Sequence, residues 1–250
     1  MEKGLTIQKL VHNEDFIAKA QDMLGEGTQQ FLTSVLTLAN SNKLLAECDP
    51  VKLYNCCLMA AAVKLPFNQN LGQAYIVPFK GEPQLQIGWK GFVQLAQRSG
   101  LYKTISCTDV RDGEIDEYDR LSGDIIFDWI QDEDERAKKP VVGYVAYFKL
   151  LNGYEQTFYM SMKELEKHAK RYSQTYAKGF GVWKDNFDAM AKKTVIKLML
   201  SKFGPLSVDM QKALDFDQAN SDGKYPDNGA VEIVEAEIGS SEEERSKEND

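Results

Sequence analysis

The sequence predicts an α+β fold, in which a central antiparallel β-sheet with packed helices follows an N-terminal helical assembly unit and precedes a disordered acidic C-terminal tail. Helical spacing of apolar residues dominates the first 70 residues, and short apolar segments separated by turn residues fill the middle. After about residue 216, acids accumulate and aromatic residues become scarce. At 250 residues, the chain can bury a sizeable core.

The first 70 residues are predicted to be helical. Phe31, Val35 and Leu38 recur at near-helical spacing in a stretch without proline. Asp49 suits an N-cap and Pro50 the first helical position, and this helix should end before Pro66. We expect these helices to form one packing or assembly unit.

The middle of the chain is predicted to form the antiparallel sheet. Segments 71–79 and 83–88 are predicted to form a hairpin, which leads into a helix that ends at Gly100. Asn152-Gly153 is the strongest two-residue hairpin signal and joins the last two strand candidates. The further strand candidates are 101–110, 124–130, 141–151 and 154–160.

Helices are predicted again after residue 160. Ser161 to Glu164 match a capping box for a helix that runs toward Tyr172, and Gly204-Pro205 ends a second, longer helix. The apolar stripe of that second helix is Trp183, Phe187, Met190, Thr194 and Leu198.

A short helix to about Phe216 precedes the tail. The tail's one apolar patch, VEIVEAEI, could be a docking peptide, a strand added to a partner, or part of a purely solvating tail. The predicted division of the chain is therefore 1–70, 71–206 and 207–250.

The net charge of −8 hides a strong asymmetry along the chain. Residues 206–250 carry four Lys/Arg against thirteen Asp/Glu, which leaves the preceding residues close to neutral. Residues 163–202 carry ten Lys/Arg against four Asp/Glu. A polyanionic partner is therefore compatible with the body of the protein.

Several classes of protein lack support in the sequence. The four cysteines have no C-x-x-C spacing, no secretion signal is evident, and no apolar run reaches the length of a membrane span, so we expect a reduced, cytoplasmic protein that does not enter a membrane. No phosphate-cradling G-x-x-x-x-G-K-[ST] loop is present, and His12 and His168 lie far apart. We expect neither a cofactor nor a catalytic metal.

Two acidic stretches, 112–119 and 131–136, leave one alternative open. Clustered carboxylates could hold the metals of a metal-dependent nuclease. Both stretches lie between strand candidates, where charged loops are usually just solvated, so surface loops are the favoured interpretation.

Cations interleaved with aromatic residues suit single-stranded nucleic acid, because the cations follow the phosphate backbone while bases stack on flat side chains. The tryptophans could equally be core residues. The candidates in two stretches are Trp89, Lys90, Arg98, Tyr102 and Lys103, and then Lys170, Arg171, Lys178, Trp183 and Lys184.

Lys192, Lys193 and Lys197 give a sharper indication. Lys193 and Lys197 are one helical turn apart, and the apolar stripe is expected to face elsewhere, so the helix should have a basic flank. No acid lies between Asp188 and Asp209 to pair with them, which favours phosphate contact over mere solubility.

Four blocks, in order, resemble the RecT/Redβ family of phage single-strand annealing proteins, and are closest to its RecT branch. They are LGQAYIVPF, QIGWKGFVQLAQRSG, KPVVGYVAYFKLLNG and the Trp183 to Leu198 block with MAKKTVIKL.

The resemblance implies binding of single-stranded DNA and ATP-independent annealing into duplex DNA by a homo-oligomeric ring or helical filament, with no enzymatic activity. It further implies a phage 5′-to-3′ exonuclease and the host single-strand binding protein as partners. On this hypothesis residues 71–206 are the DNA-binding core, and the roles of the tail are separable from annealing. Arg111 joins the candidates, although Asp112 and Glu114 could pair with it. A passive single-strand binding protein remains a further alternative.

Overall fold

The computed structural model describes residues 6–219, and they cluster into two compact units. The first comprises residues 6–91 and 212–219, and the second comprises residues 92–211. The division falls within two helices, α6 (Trp89–Arg98) and α12 (Val208–Ala219). The functional division at residues 70 and 206 stays a prediction, and the VEIVEAEI patch lies outside the described residues.

The first unit begins with helices, as predicted. Asp49 caps the fifth of them, because its carboxylate accepts hydrogen bonds from the Val51 and Lys52 amides. Tyr54 lies at the centre of the helical core and donates its hydroxyl proton to the Phe16 carbonyl at 2.6 Å. The helices are α1 (Ile7–Leu10), α2 (Glu14–Leu24), α3 (Thr28–Ser41), α4 (Lys43–Glu47) and α5 (Pro50–Ala62).

A hairpin of β1 (Ala74–Phe79) and β2 (Glu82–Ile87) packs against α5 and leads into α6. The glycines that follow β2 are required by close packing. A Cβ atom on Gly88 would collide with the Gly72 carbonyl oxygen, and one on Gly91 would collide with the Gln73 carbonyl oxygen. The glycines of IGWKG therefore allow backbone segments to approach each other.

The second unit is built on a three-stranded antiparallel sheet in the order β3-β6-β7. Ala146 of the central strand is paired with Cys107 on one side and Phe158 on the other. The elements of this unit are β3 (Tyr102–Arg111), β4 (Ile115–Tyr118), β5 (Ile125–Phe127), α7 (Glu133–Lys138), β6 (Val141–Leu150), β7 (Glu155–Ser161), α8 (Met162–Tyr172), α9 (Gln174–Ala177), α10 (Val182–Asp185) and α11 (Phe187–Phe203).

The α+β class is confirmed, with antiparallel pairing throughout the described strands, but three details differ from the sequence prediction. The strands form three small sheets, β1-β2, β3-β6-β7 and β4-β5, and not one central sheet. The acidic stretches predicted as loops contain β4 and part of α7. The predicted long helix is interrupted at Asn186, whose extended φ of −142° ends α10 and whose side chain caps α11.

All four cysteines are free thiols. Burial raises the pKa of Cys56 to about 11 and that of Cys107 to about 12, so both thiols stay protonated at neutral pH. Across residues 6–219, no helix combines the length and the apolar character that a membrane crossing requires.

Candidate nucleic-acid interface

The cations of the second unit divide into buried and exposed groups, and α11 holds the buried ones. Lys193 is 5% exposed and Lys197 is 1% exposed. The predicted basic flank is therefore wrong for these two residues. The reason is that α11 packs against all three strands of the sheet and also against α10, and nearly every side chain from Met190 to Leu200 is buried.

Lys192 is the partly accessible lysine of the predicted flank, and it is engaged locally. Its ammonium donates to the Asp188 carboxylate at 2.9 Å, one helical turn away. The sequence prediction considered acids after Asp188 and did not consider Asp188 itself. Lys192 therefore has a carboxylate partner in this structure and is a weaker candidate for phosphate.

Lys197 takes part in a buried cluster of aromatic and basic groups. Its ammonium lies 5.7 Å from the centroid of the Phe92 ring. Burial, together with the charges of Lys197 and Arg171, lowers the pKa of His168 to about 4. The Nε2 atom of His168 is buried and has no hydrogen-bond partner among the described residues. The imidazole is therefore neutral at pH 7, which avoids a further buried charge.

Trp183 is also part of this core. It is 0% exposed, and its ring lies 5.3 Å from Phe187 and 6.3 Å from His168, centroid to centroid. A base cannot stack on it, so its assignment as a stacking platform is corrected to a packing role. The apolar stripe that contains Trp183 packs in the core, which is the alternative that the sequence had left open for the tryptophans.

The exposed cations begin on α8. Ser161 and Glu164 form the predicted capping box, while Leu165 and Ala169 face the core. The guanidinium of Arg171 lies 5.1 Å from the ring centroid of Tyr172. The exposed cations of the helix, spaced i, i+4, i+7 and i+8 along one face, are Lys163, Lys167, Lys170 and Arg171.

Two more cations follow at the corner between α9 and α10, and α9 contacts both α8 and α10. Lys178 is exposed, and the Lys184 ammonium donates to the Gly179 carbonyl at 2.7 Å. We call the set on α8 and at this corner the basic surface. Its members are Lys163, Lys167, Lys170, Arg171, Lys178 and Lys184.

Sequence reasoning missed part of this region. Lys163 and Lys167 entered the charge count but not the candidate site, although their helical spacing with Lys170 and Arg171 could have identified them. Phe180 is exposed beside the two corner cations, whereas the sequence search for flat side chains had selected the buried Trp183. The glycines on both sides of Phe180 were the available signal.

The candidates in the first stretch have diverse environments. Lys90 is exposed in the first unit, with its ammonium 5.8 Å from the ring centroid of half-buried Trp89. In the second unit, Lys103 is exposed on β3, and Arg98 lies 3.6 Å from the Asp209 carboxylate. Tyr102 is a packing residue, because its hydroxyl donates to the Pro205 carbonyl. Its burial raises its pKa to about 12.

The Arg111 side chain pairs with Asp109 and not with the expected Asp112 or Glu114. Its Nε donates to Asp109 at 2.6 Å, and its Nη1 donates to the Lys139 carbonyl. Glu114 instead accepts from the Arg111 backbone amide and pairs with Arg136 at 2.7 Å. Arg111 is therefore part of an ion-pair network that joins the end of β3 and the turn after it to α7.

The same network bears on the nuclease alternative. Glu114 is 0% exposed and paired with Arg136, so this acid of the stretch 112–119 is part of the fold. Within residues 6–219, no three His, Cys, Asp or Glu side chains are grouped so that they could hold a metal ion. The described part of the chain gives the nuclease hypothesis no support.

Comparison with known proteins gives a consistent result. A family model described as RecT family matches residues 29–231. The chain is 41% identical over 213 residues to the uncharacterized protein YqaK of Bacillus subtilis (strain 168), with 85% of this chain and 72% of that protein covered. It is 30% identical over 184 residues to protein RecT of Escherichia coli (strain K12), with 70% of this chain and 65% of that protein covered.

Proposed function

Because the chain belongs to the RecT family, we propose that it binds single-stranded DNA and anneals complementary strands without a nucleotide cofactor. Membership of the family implies a role in single-strand annealing recombination. The observation that carries the proposal for this chain is the basic surface, where six exposed cations lie on one helix face and the adjoining corner.

The basic surface suits the phosphate backbone of DNA. No Asp or Glu occurs between Glu166 and Asp185, and this stretch holds five of the six cations. Lysine and arginine that neutralise phosphates release condensed counterions, which favours binding without reading the base sequence. The bases of the bound strand remain free to test a second strand for complementarity.

Annealing requires no bond to be made or broken by the protein. Two complementary strands repel each other through their phosphates, and cations that lower this repulsion allow base pairs to form. The base pairs then supply the free energy. The lack of a phosphate-cradling loop in the sequence supports annealing without ATP.

The burial of α11 changes which residues are assigned to DNA. The cations proposed to hold backbones are now the basic surface, with Lys103 as a further exposed candidate of the same unit. Lys193, Lys197 and Trp183 are assigned to the core, and Arg111 to its ion-pair network. Lys90 is a separate candidate in the first unit.

An annealing assay with two complementary oligonucleotides tests the proposal, with and without magnesium and ATP. The wild-type protein should accelerate duplex formation in all four conditions. Cleavage in magnesium would indicate a nuclease, strands that are held apart would indicate a passive binding protein, and a requirement for ATP would contradict the mechanism. Each of these three outcomes overturns the proposal.

A charge-reversed pair tests whether single-stranded DNA binds to the basic surface. Lys167→Glu with Lys170→Glu should reduce affinity for single-stranded DNA by about 10-fold or more at low salt, because two phosphate contacts become repulsive. The matched control is Lys43→Glu with Lys139→Glu, two exposed lysines outside the basic surface. Equal losses in both double variants would show a non-specific effect of net charge.

We extend the proposal to assembly and partners. The active form is a homo-oligomeric ring or helical filament that works with a phage 5′-to-3′ exonuclease and contacts the host single-strand binding protein. Electron microscopy of the protein with and without complementary oligonucleotides tests the assembly, and co-purification from infected cells tests the partners. A monomer that anneals at full rate would contradict the assembly.

A further inference from the structure

Phe180 lies exposed at the corner of the basic surface. Its side chain is 51% exposed, whereas the nearby Trp183 is fully buried and Tyr176 packs against Trp183 with centroids 6.2 Å apart. The other aromatic rings of this corner thus contribute to the core. An isolated exposed phenylalanine is common on protein surfaces, so exposure alone does not indicate a binding site. The turn that holds this ring and the charges near it give further evidence.

The backbone holds Phe180 in an ordered turn. The Gly179 amide donates to the Tyr176 carbonyl, and the Phe180 amide donates to the Thr175 carbonyl at 3.1 Å, which is the pairing of a Schellman motif at the end of α9. Lys184 adds a side-chain bond to the Gly179 carbonyl. The ring is therefore exposed by a specific turn and not by a fraying end.

The two flanking glycines make this turn possible. Gly179 has a φ of +90° and Gly181 a φ of +95°, a region that residues with a side chain rarely adopt. A Cβ atom on Gly179 would meet no other atom within 4 Å, so the turn is open to solvent at the residue that precedes Phe180.

Cations lie on both sides of Phe180 in the sequence, and no acid occurs between Glu166 and Asp185. Lys178 precedes Phe180 by two residues, Lys184 is fixed to the same turn, and α8 with Lys170 contacts α9. The combination of an exposed ring and flanking cations matches single-stranded nucleic acid, in which each flat base is joined to charged phosphates on both sides.

We propose that Phe180 is a base-stacking subsite for single-stranded DNA, at which one nucleobase lies against the phenyl ring while Lys178 and Lys184 contact the neighbouring phosphates. This inference rests on the proposed function and adds a base contact to a surface otherwise assigned to phosphates. Stacking accepts every base, so the subsite adds affinity without sequence preference. A paired base is already stacked within its duplex, so the subsite favours single strands over duplex.

The experiment compares Phe180→Leu with Phe180→Trp in the full-length chain. Leucine keeps an apolar side chain but has no aromatic face, and tryptophan keeps the face. Phe180→Leu should bind an oligothymidine at least about 5-fold more weakly than wild type, and Phe180→Trp should bind at least as tightly as wild type. The salt dependence of binding should be unchanged in both variants, because no phosphate contact is removed.

An oligomer of abasic sites separates stacking from other effects, because it keeps the phosphates and lacks the bases. Wild type and Phe180→Leu should bind it equally. A loss of affinity for the abasic oligomer, or a loss shared by Phe180→Trp, would indicate a structural role and overturn the subsite. Phe203→Leu, the same substitution at an exposed ring of the same unit, is the matched control and should bind oligothymidine like wild type.

The result also separates this inference from the proposed function. If wild type binds and anneals single strands while Phe180→Leu equals wild type, the subsite is refuted and the proposed function stands. If wild type does not bind single strands, both fall. Thermal unfolding of each variant establishes that the comparison is made between folded proteins.

Discussion

The basic surface and the acidic segment 112–135 belong to the same compact unit and use their charges in different ways. The acidic segment carries eleven Asp/Glu and one Arg, and part of that charge is built into the fold. Glu114 is buried against Arg136, and the Asp119 and Asp132 carboxylates accept backbone amide hydrogen bonds. The six cations of the basic surface are exposed on a helix face and the adjoining corner.

The unit therefore contains two stretches of opposite charge, although its total charge is small. Under the proposed function, a polyanion would be attracted to the basic surface and repelled by the acidic segment. Substitutions at engaged charges of the acidic segment should affect folding, whereas substitutions on the basic surface should affect DNA.

The largest effect is expected for Arg136→Ala. Removing this guanidinium leaves Glu114 buried without its charged partner. The Asp109 carboxylate also loses its contact with Arg136 at 3.4 Å. Breaking a buried ion pair in this way costs about 3 kcal/mol of unfolding free energy. Urea denaturation measures the loss. A variant as stable as wild type would show that the network is incidental to the fold.

Burial of His168 should make the stability of the protein depend on pH. The pKa of His168 is about 4 in the folded protein and about 6.5 in an unfolded chain. Between these values the unfolded state binds the additional proton. The stability contributed by neutral His168 is therefore complete above pH 6.5 and is lost as the pH falls toward 4, by about 3 kcal/mol in total.

The measurement for this prediction is urea denaturation at pH 7 and pH 4.5 for wild type and His168→Gln, whose amide does not titrate. The wild-type protein should lose more stability between the two pH values than the variant does. Parallel losses would show that His168 has the same pKa in the folded and unfolded states. Carboxylates that titrate in this range are common to both proteins and cancel in the difference.

Charge neutralisation should separate the two exposed regions by their effect on DNA. Lys163→Gln with Lys170→Gln should lower the slope of log affinity against log salt by about 1.4 for single strands, because two phosphate contacts are removed. Asp116→Asn with Asp124→Asn, at exposed positions of the acidic segment, should leave the slope unchanged. Fluorescence anisotropy over a salt series measures both, and an equal change would remove the contrast.

The smallest effect is expected for the acidic residues after Ala219. The sequence predicts that the tail begins after about Phe216, but the Asp217 carboxylate is buried and accepts the Ile87 amide at 2.8 Å, so a truncation should fall after Ala219. The truncated protein should anneal normally and bind DNA about 2-fold more tightly at low salt, where repulsion is least screened. Recombination with the partner exonuclease in cells should decline. Lost annealing by a folded truncation would place the tail in the annealing machinery.

Local signals in the sequence predicted much of the fold. The cap at Asp49, the capping box at Ser161 and Glu164, and the helix end before Gly204 all occur as expected. A hairpin also occurs at Asn152-Gly153, but the Leu150 amide donates to the Tyr154 carbonyl, so its loop has three residues and not the two that were predicted. Each depends on residues within a few positions of one another, so its physical cause is present in a short stretch of sequence.

The candidate site was less predictable, because exposure is decided by distant contacts. Lys193 and Lys170 look alike in the sequence, yet the first lies on a helix enclosed by the sheet and its neighbours, and the second lies on an open helix face. Trp183 and Phe180 are three residues apart, and the sequence selected Trp183 for stacking, yet Trp183 is buried and Phe180 is exposed.

Composition and short-range periodicity encode the fold class, the positions of most helices and strands, and the charge asymmetry, so these properties could be predicted from the sequence. Which cations and rings face solvent depends on tertiary packing. That choice depends on how α11 packs against β3, β6 and β7, which are separated from it by up to 100 residues of chain. Burial is a property of this packing, and a lysine or tryptophan carries no local mark of it.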